Sequence, residues 1–190
     1  MKLLRLFLCT VLLFGAVGCS NSSTVSSEED NTDYYNSDNV SQFADLYPEI
    51  YETIILNNVD FKACLNLDSV ELYPDANLRL NTIQVFNDFG DVYASFSPNE
   101  DIMVNYYYDI DTRKMWLIDI EMFNPDLKDT LITTAMYMVY DDFSTSDESL
   151  SEISAALASD EETNVKIEDG KYEASHYIKE SSERFCISIF

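Results

Sequence analysis

The sequence has little of what phosphate loops, metal centres and basic surfaces are made from. Only 4 of its 190 residues are glycine and 4 are proline. That leaves little room for a glycine-rich phosphate loop or a nucleophile elbow, and neither motif occurs. A single histidine, His176, excludes a multi-histidine zinc centre. The four cysteines form no Cys-x-x-Cys pair. No motif calls for a cofactor. Basic side chains number 11 against 35 acidic ones, for a net charge of −24, and such a surface is a poor partner for nucleic acid or anionic headgroups. No apolar run reaches the roughly 20 residues that span a bilayer. No period of 20 to 50 residues repeats, which argues against a solenoid or propeller.

What is present begins at the N-terminus. Lys2 and Arg5 form a charged start, an apolar stretch runs from Phe7 to Val17, and Ala16-Val17-Gly18-Cys19 places small residues before a cysteine. Together these read as a secretory signal. The segment resembles the type II signal peptide of bacterial lipoproteins, whose lipobox ends in an invariant cysteine. Val17 and Gly18 suit that pattern, whereas Ala16 stands where leucine is more typical. The resemblance implies diacylglyceryl transfer to the Cys19 thiol, cleavage after Gly18 and acylation of the new amine. Each buried methylene contributes about 0.8 kcal/mol, so two or three chains hold where one would not. The implied location is extracytoplasmic, lipid-anchored to a bacterial membrane.

This divides the chain into a signal at residues 1–18, a lipidated cysteine and tether at 19–39, and a single globular domain at 40–190. The tether is rich in Ser, Asn and Asp, with Val25, Tyr34 and Tyr35 its main apolar residues. Too little of it can be buried to offset chain entropy, which predicts disorder and a reach on the order of 25 Å. About 150 residues remain, the usual size of one domain.

In that domain Phe43, Leu46, Tyr47, Ile50, Tyr51, Ile54 and Ile55 recur at spacings of three and four, predicting an amphipathic helix. Pro48 starts its second half or kinks it. A short extended piece follows at residues 61–67. Residues 81–123 read as four strands separated by Asn87-Asp88-Phe89-Gly90, Ser97-Pro98-Asn99-Glu100 and Asp111-Thr112-Arg113-Lys114, all good turn sequences. Asn124-Pro125 then starts a helix whose inner stripe is Leu127, Leu131, Ile132, Ala135, Met136 and Val139. A shorter helix, capped at Ser144 or Thr145, turns Leu150, Ile153 and Leu157 inward. Three strands close the chain, at 165–168, 171–179 and 184–190, the first two joined at Asp169-Gly170. The expected fold class is α+β, a mostly antiparallel sheet with helices packed on one face.

Strand alternation separates the two sides of that sheet. Ile102, Val104, Tyr106 and Tyr108 belong with Trp116, Ile118, Ile120 and Met122 in the core. The other side presents Asn105, Tyr107, Leu117, Asp119 and Glu121, joined by Tyr93 from the preceding strand. Asn105 is expected opposite Asp119, and Tyr107 opposite Leu117. Tyrosines beside carboxylates and an amide suit a glycan or a protein partner, because the ring offers apolar area with a polar tip. The bland alternative is an ordinary wet sheet face. Asp119 and Glu121, roughly 7 Å apart by strand rise, also match the spacing of an inverting glycosidase pair. Chance alone supplies such pairs in so acidic a chain.

Asp109-Ile110-Asp111-Thr112 opens like a calcium loop but lacks the glycine and distal glutamate of an EF-hand, so it reads as a turn. His176 is expected beside Ala174 and Ile178, pointing away from Cys186, which pairs with Tyr177 on the other side. That separation argues against a Cys-His dyad. Cys9 leaves with the signal and Cys19 is lipidated, so Cys64 and Cys186 remain as a possible disulfide in an oxidising compartment. It would close a loop of about 120 residues and add roughly 4 to 5 kcal/mol. The functional expectation is an anchored, non-enzymatic binding domain. Its alternatives are an unrecognised glycan hydrolase and an accessory subunit of an envelope complex.

Overall fold

The computed structural model describes residues 32–67, 70–74, 79–143 and 145–190. The signal, Cys19 and most of the tether lie outside them. The described elements are β1 (Thr32–Tyr35), α1 (Val40–Leu46), α2 (Pro48–Leu67), β2 (Leu80–Phe86), β3 (Asp91–Asn99), β4 (Ile102–Asp109), β5 (Met115–Met122), α3 (Lys128–Phe143), α4 (Asp147–Leu157), β6 (Thr163–Ile167), β7 (Tyr172–Ile178) and β8 (Glu183–Ile189). The strands form one antiparallel sheet of order β1-β2-β3-β4-β5-β8-β7-β6. The class is α+β, as expected.

All four helices supply one core with the same side of the sheet. Phe43, Ile54, Phe61, Leu65, Leu131, Val139, Ile153 and Leu157 pack with Ile83, Val92, Phe96, Val104, Tyr106, Ile118, Ile120, Tyr172 and Phe185. The strand members alternate in sequence, as a sheet covered on one side requires. Asn124 accepts a hydrogen bond from the Asp126 N–H and, with Pro125, opens the turn leading into α3. Ser146 rather than Ser144 or Thr145 caps α4, accepting from the Ser149 N–H. Thr145 is buried, its hydroxyl bonded to the Val139 carbonyl and the Tyr172 hydroxyl.

Three expectations need correction. Strand pairing begins at Thr32, inside the segment assigned to the tether. Tyr35 is buried against Phe43, with ring centroids 5.3 Å apart, and the Thr82 hydroxyl donates to its carbonyl. Asn36 and Asn39 then close a turn through side chain and backbone. Second, residues 61–67 continue α2 instead of forming an extended piece. Asn57 and Asn58, which interrupt the apolar pattern, are buried. The Asn57 amide donates to the Tyr108 hydroxyl at 3.1 Å, so a partner on the sheet satisfies it.

Third, Trp116 is buried but does not join the core that the helices share with the sheet. The β4–β5 register shifts between Tyr107 and Tyr108, so that Tyr108 faces Met115. This bulge puts Met115 into the core and brings the Trp116 ring to Tyr107, on the other side, at 5.4 Å. A bulge moves one extra side chain across the ladder, and no turn residue announces it here.

Candidate functional site

The side of the sheet that no described helix covers collects all five residues selected from the sequence. Tyr93 lies opposite Tyr107, while Tyr107 lies opposite Leu117 and Asn105 opposite Asp119. Glu121 follows two residues further along β5. These are the expected registers, produced by two tight hairpins in succession. At the β4–β5 turn Asp109 Oδ1 accepts the Thr112 N–H and hydroxyl at 2.8 and 3.0 Å. Arg113 adopts a left-handed φ of 59°.

Asp119 is the centre of the face and is 0% exposed. Arg184 binds it with two nitrogens, Nε to Oδ1 at 2.6 Å and Nη2 to Oδ2. The Asn105 amide donates to Oδ2 at 3.1 Å, and the Cys186 thiol to Oδ1 at 3.3 Å. Tyr93 extends the chain by donating its hydroxyl to Asn105 Oδ1 at 2.9 Å. Burial works against the charged guanidinium, but the hydrogen bonds and charge of Asp119 outweigh it and hold Arg184 above its ordinary pKa range. Arg184 therefore stays charged where it grips the Asp119 carboxylate.

Glu121 carries a second, more exposed pair. Its Oε1 accepts from Lys179 Nζ at 3.1 Å and from the Ser182 hydroxyl at 2.7 Å. Beside these charges runs an aromatic row. Tyr93 and Tyr107 have centroids 4.9 Å apart, and Trp116 continues from Tyr107. Tyr93, Glu121, Arg184 and Tyr177 stay partly accessible, whereas Tyr107 is only 6% exposed. Burial raises the pKa of Tyr93 above the ordinary tyrosine value, and does the same to Tyr177.

Nothing in the sequence singled out Arg184, Lys179 or Ser182 for this face, and Trp116 was expected in the core. Arg184 had one signal: with Cys186 and Ser188 it alternates with the apolar Phe185, Ile187 and Ile189. Its partner could not be named without knowing that β8 lies beside β5. Cys186 lies opposite Ser175, not Tyr177, and Tyr177 opposite Arg184, so that hairpin is displaced from the expected pairing while its faces are kept.

Cys64 and Cys186 are both buried thiols outside any disulfide. The expected bridge is not made, because Cys64 sits on α2 while Cys186 reaches Asp119 on the helix-free side, with the sheet between them. His176 is on the helix side, fully buried, with Nε2 2.8 Å from Glu183 Oε2. Lys128 binds the same oxygen at 3.3 Å.

Asp119 is badly placed for acid-base chemistry. Both its oxygens already accept from Arg184, Asn105 and Cys186, and a catalytic carboxyl must be able to exchange a proton with substrate. Among the described residues no group of three or more His, Cys, Asp and Glu side chains is arranged to hold a metal ion. No family model, curated protein or solved structure matches this chain.

Proposed function

We propose that the protein is a lipid-anchored extracytoplasmic lipoprotein whose folded domain binds a partner without catalysis, through the helix-free face of its sheet. The anchor reading rests on Ala16-Val17-Gly18-Cys19 behind a charged, apolar start. The observation that carries the binding reading is the continuous chain Tyr93, Asn105, Asp119, Arg184, beside partly accessible Tyr177 and Glu121. Ion pairs and an amide fix these side chains in place, and preorganised groups lose less entropy when a ligand arrives. The fully occupied Asp119 carboxylate favours this reading over the hydrolase.

Two measurements test the halves separately. Cells fed a labelled fatty acid should label the wild-type protein, and Cys19→Ala should abolish the label; label surviving in that variant rejects the anchor. Unlipidated Cys19→Ala protein should still co-sediment with purified cell envelopes, and Tyr93→Ala should release it. Tyr93 is the better probe than Tyr107, whose burial makes its truncation a folding experiment. Sedimentation that ignores Tyr93→Ala and Arg184→Lys rejects the face.

A further inference from the structure

We infer that the ligand of this face is a neutral glycan, an inference that rests on the binding reading above. The chain as a whole carries −24, yet at the centre of the face each carboxylate has its own base. Asp119 is matched by Arg184 and Glu121 by Lys179. A cationic ligand would have to compete with a resident base for either acid. An anionic ligand would meet two neutralised bases within the field of a strongly acidic protein. An uncharged ligand faces neither penalty.

The groups left over have the chemistry of hydroxyl recognition. Arg184 commits Nε and Nη2 to Asp119, and among the described residues Nη1 has no bond. Glu121 commits Oε1 to Lys179 and Ser182, and Oε2 has none. Glu121 and Arg184 are direct cross-strand partners, with side chains 15% and 16% exposed. A donor and an acceptor therefore stand side by side. Adjacent sugar hydroxyls, each able to donate and to accept, match such a pair. The half-buried Tyr93 ring, held against Tyr107, offers the aromatic surface on which the C–H side of a sugar ring packs.

The test is calorimetric titration of the full chain in detergent. The probes are neutral gluco-, galacto- and manno-configured oligosaccharides, sialylated and uronate-containing acidic ones, and glucosamine oligomers as cationic ones. Binding of a neutral probe, weakened about tenfold by Tyr93→Ala and unchanged by Tyr137→Ala on the exposed side of α3, supports the inference. Glu121→Gln keeps the side-chain shape but unbalances the charge. It should weaken neutral binding and gain affinity for the acidic probes, and it covers the case in which Tyr93→Ala fails to fold. Binding confined to acidic or cationic probes, yet dependent on Tyr93, overturns neutrality and leaves the face intact. A protein cross-linked through position 93, with no glycan bound, overturns the glycan and likewise keeps the face. Glycan binding indifferent to Tyr93→Ala and Glu121→Gln overturns both readings.

Discussion

Arg184 and Asp119 are the residues whose loss should cost the fold most for the least change in volume. Asp119 has no exposure, and its charge is offset chiefly by the bidentate guanidinium. Arg184→Met leaves that charge buried and uncompensated, a change that typically destabilises by about 3 to 5 kcal/mol. Urea unfolding should show this loss, and the double variant Asp119→Leu, Arg184→Met should recover most of it, since an apolar pair has no charge to strand. If the single and double variants are equally unstable, packing rather than charge governs the site. Tyr93 adds a pH dependence of known sign. Its folded pKa is raised, so its contribution is fully present below the unfolded value of about 10 and is lost as pH rises through the folded one. The melting temperature should therefore fall above about pH 10, and less steeply in Tyr93→Phe, which has no proton to lose. The five face residues were legible from the sequence because alternation and hairpin register are local. Arg184 was not, because its partner lies 65 positions away.

Among the elements, β1 and the second half of α2 show where local reading fails. Four residues from the N-terminal segment become an edge strand because Tyr35 finds Phe43 and β2 offers a free ladder. Neither partner is visible in a stretch dominated by Ser, Asn and Asp. Asn57 and Asn58 look like a helix end until Tyr108 supplies a hydrogen-bond partner, after which Phe61 and Leu65 resume the apolar spacing. The hairpins from β2 to β5 were readable, since good turn residues separate alternating runs, although β3 runs on through Ser97-Pro98-Asn99 and turns only at Glu100-Asp101. The bulge at Met115 and Trp116 had no such marker. A domain beginning at residue 40 should accordingly be less stable than one beginning at residue 31. The same comparison can be made inside the longer form, where Tyr35→Ala should cost roughly 3 kcal/mol, the scale for emptying a buried aromatic site. Equal unfolding midpoints for the two lengths would mean that β1 adds nothing to the fold.

At the scale of the whole domain, the sheet order was the least legible feature. The chain leaves β5, builds α3 and α4, and returns with β8 alongside β5, placing β7 and β6 beyond it. Which edge receives a returning hairpin depends on packing between distant segments. Charge, by contrast, was complete in the sequence and has a thermodynamic consequence. With 35 acidic and 11 basic side chains, the folded state concentrates like charges that the unfolded chain can separate, and self-repulsion lowers stability. Sodium chloride raised from about 10 to 150 mM shortens the screening length from roughly 30 to 8 Å. Relief of about 1 to 2 kcal/mol should then raise the melting temperature by roughly 3 to 6 °C. The Arg184–Asp119 pair is buried and short-ranged, so salt reaches it little, and the double variant should keep the same salt slope while its absolute midpoint shifts. A midpoint that falls with salt would instead make surface ion pairs such as Lys179–Glu121 and Lys171–Glu168 the dominant electrostatic contribution, because screening weakens attraction as well as repulsion.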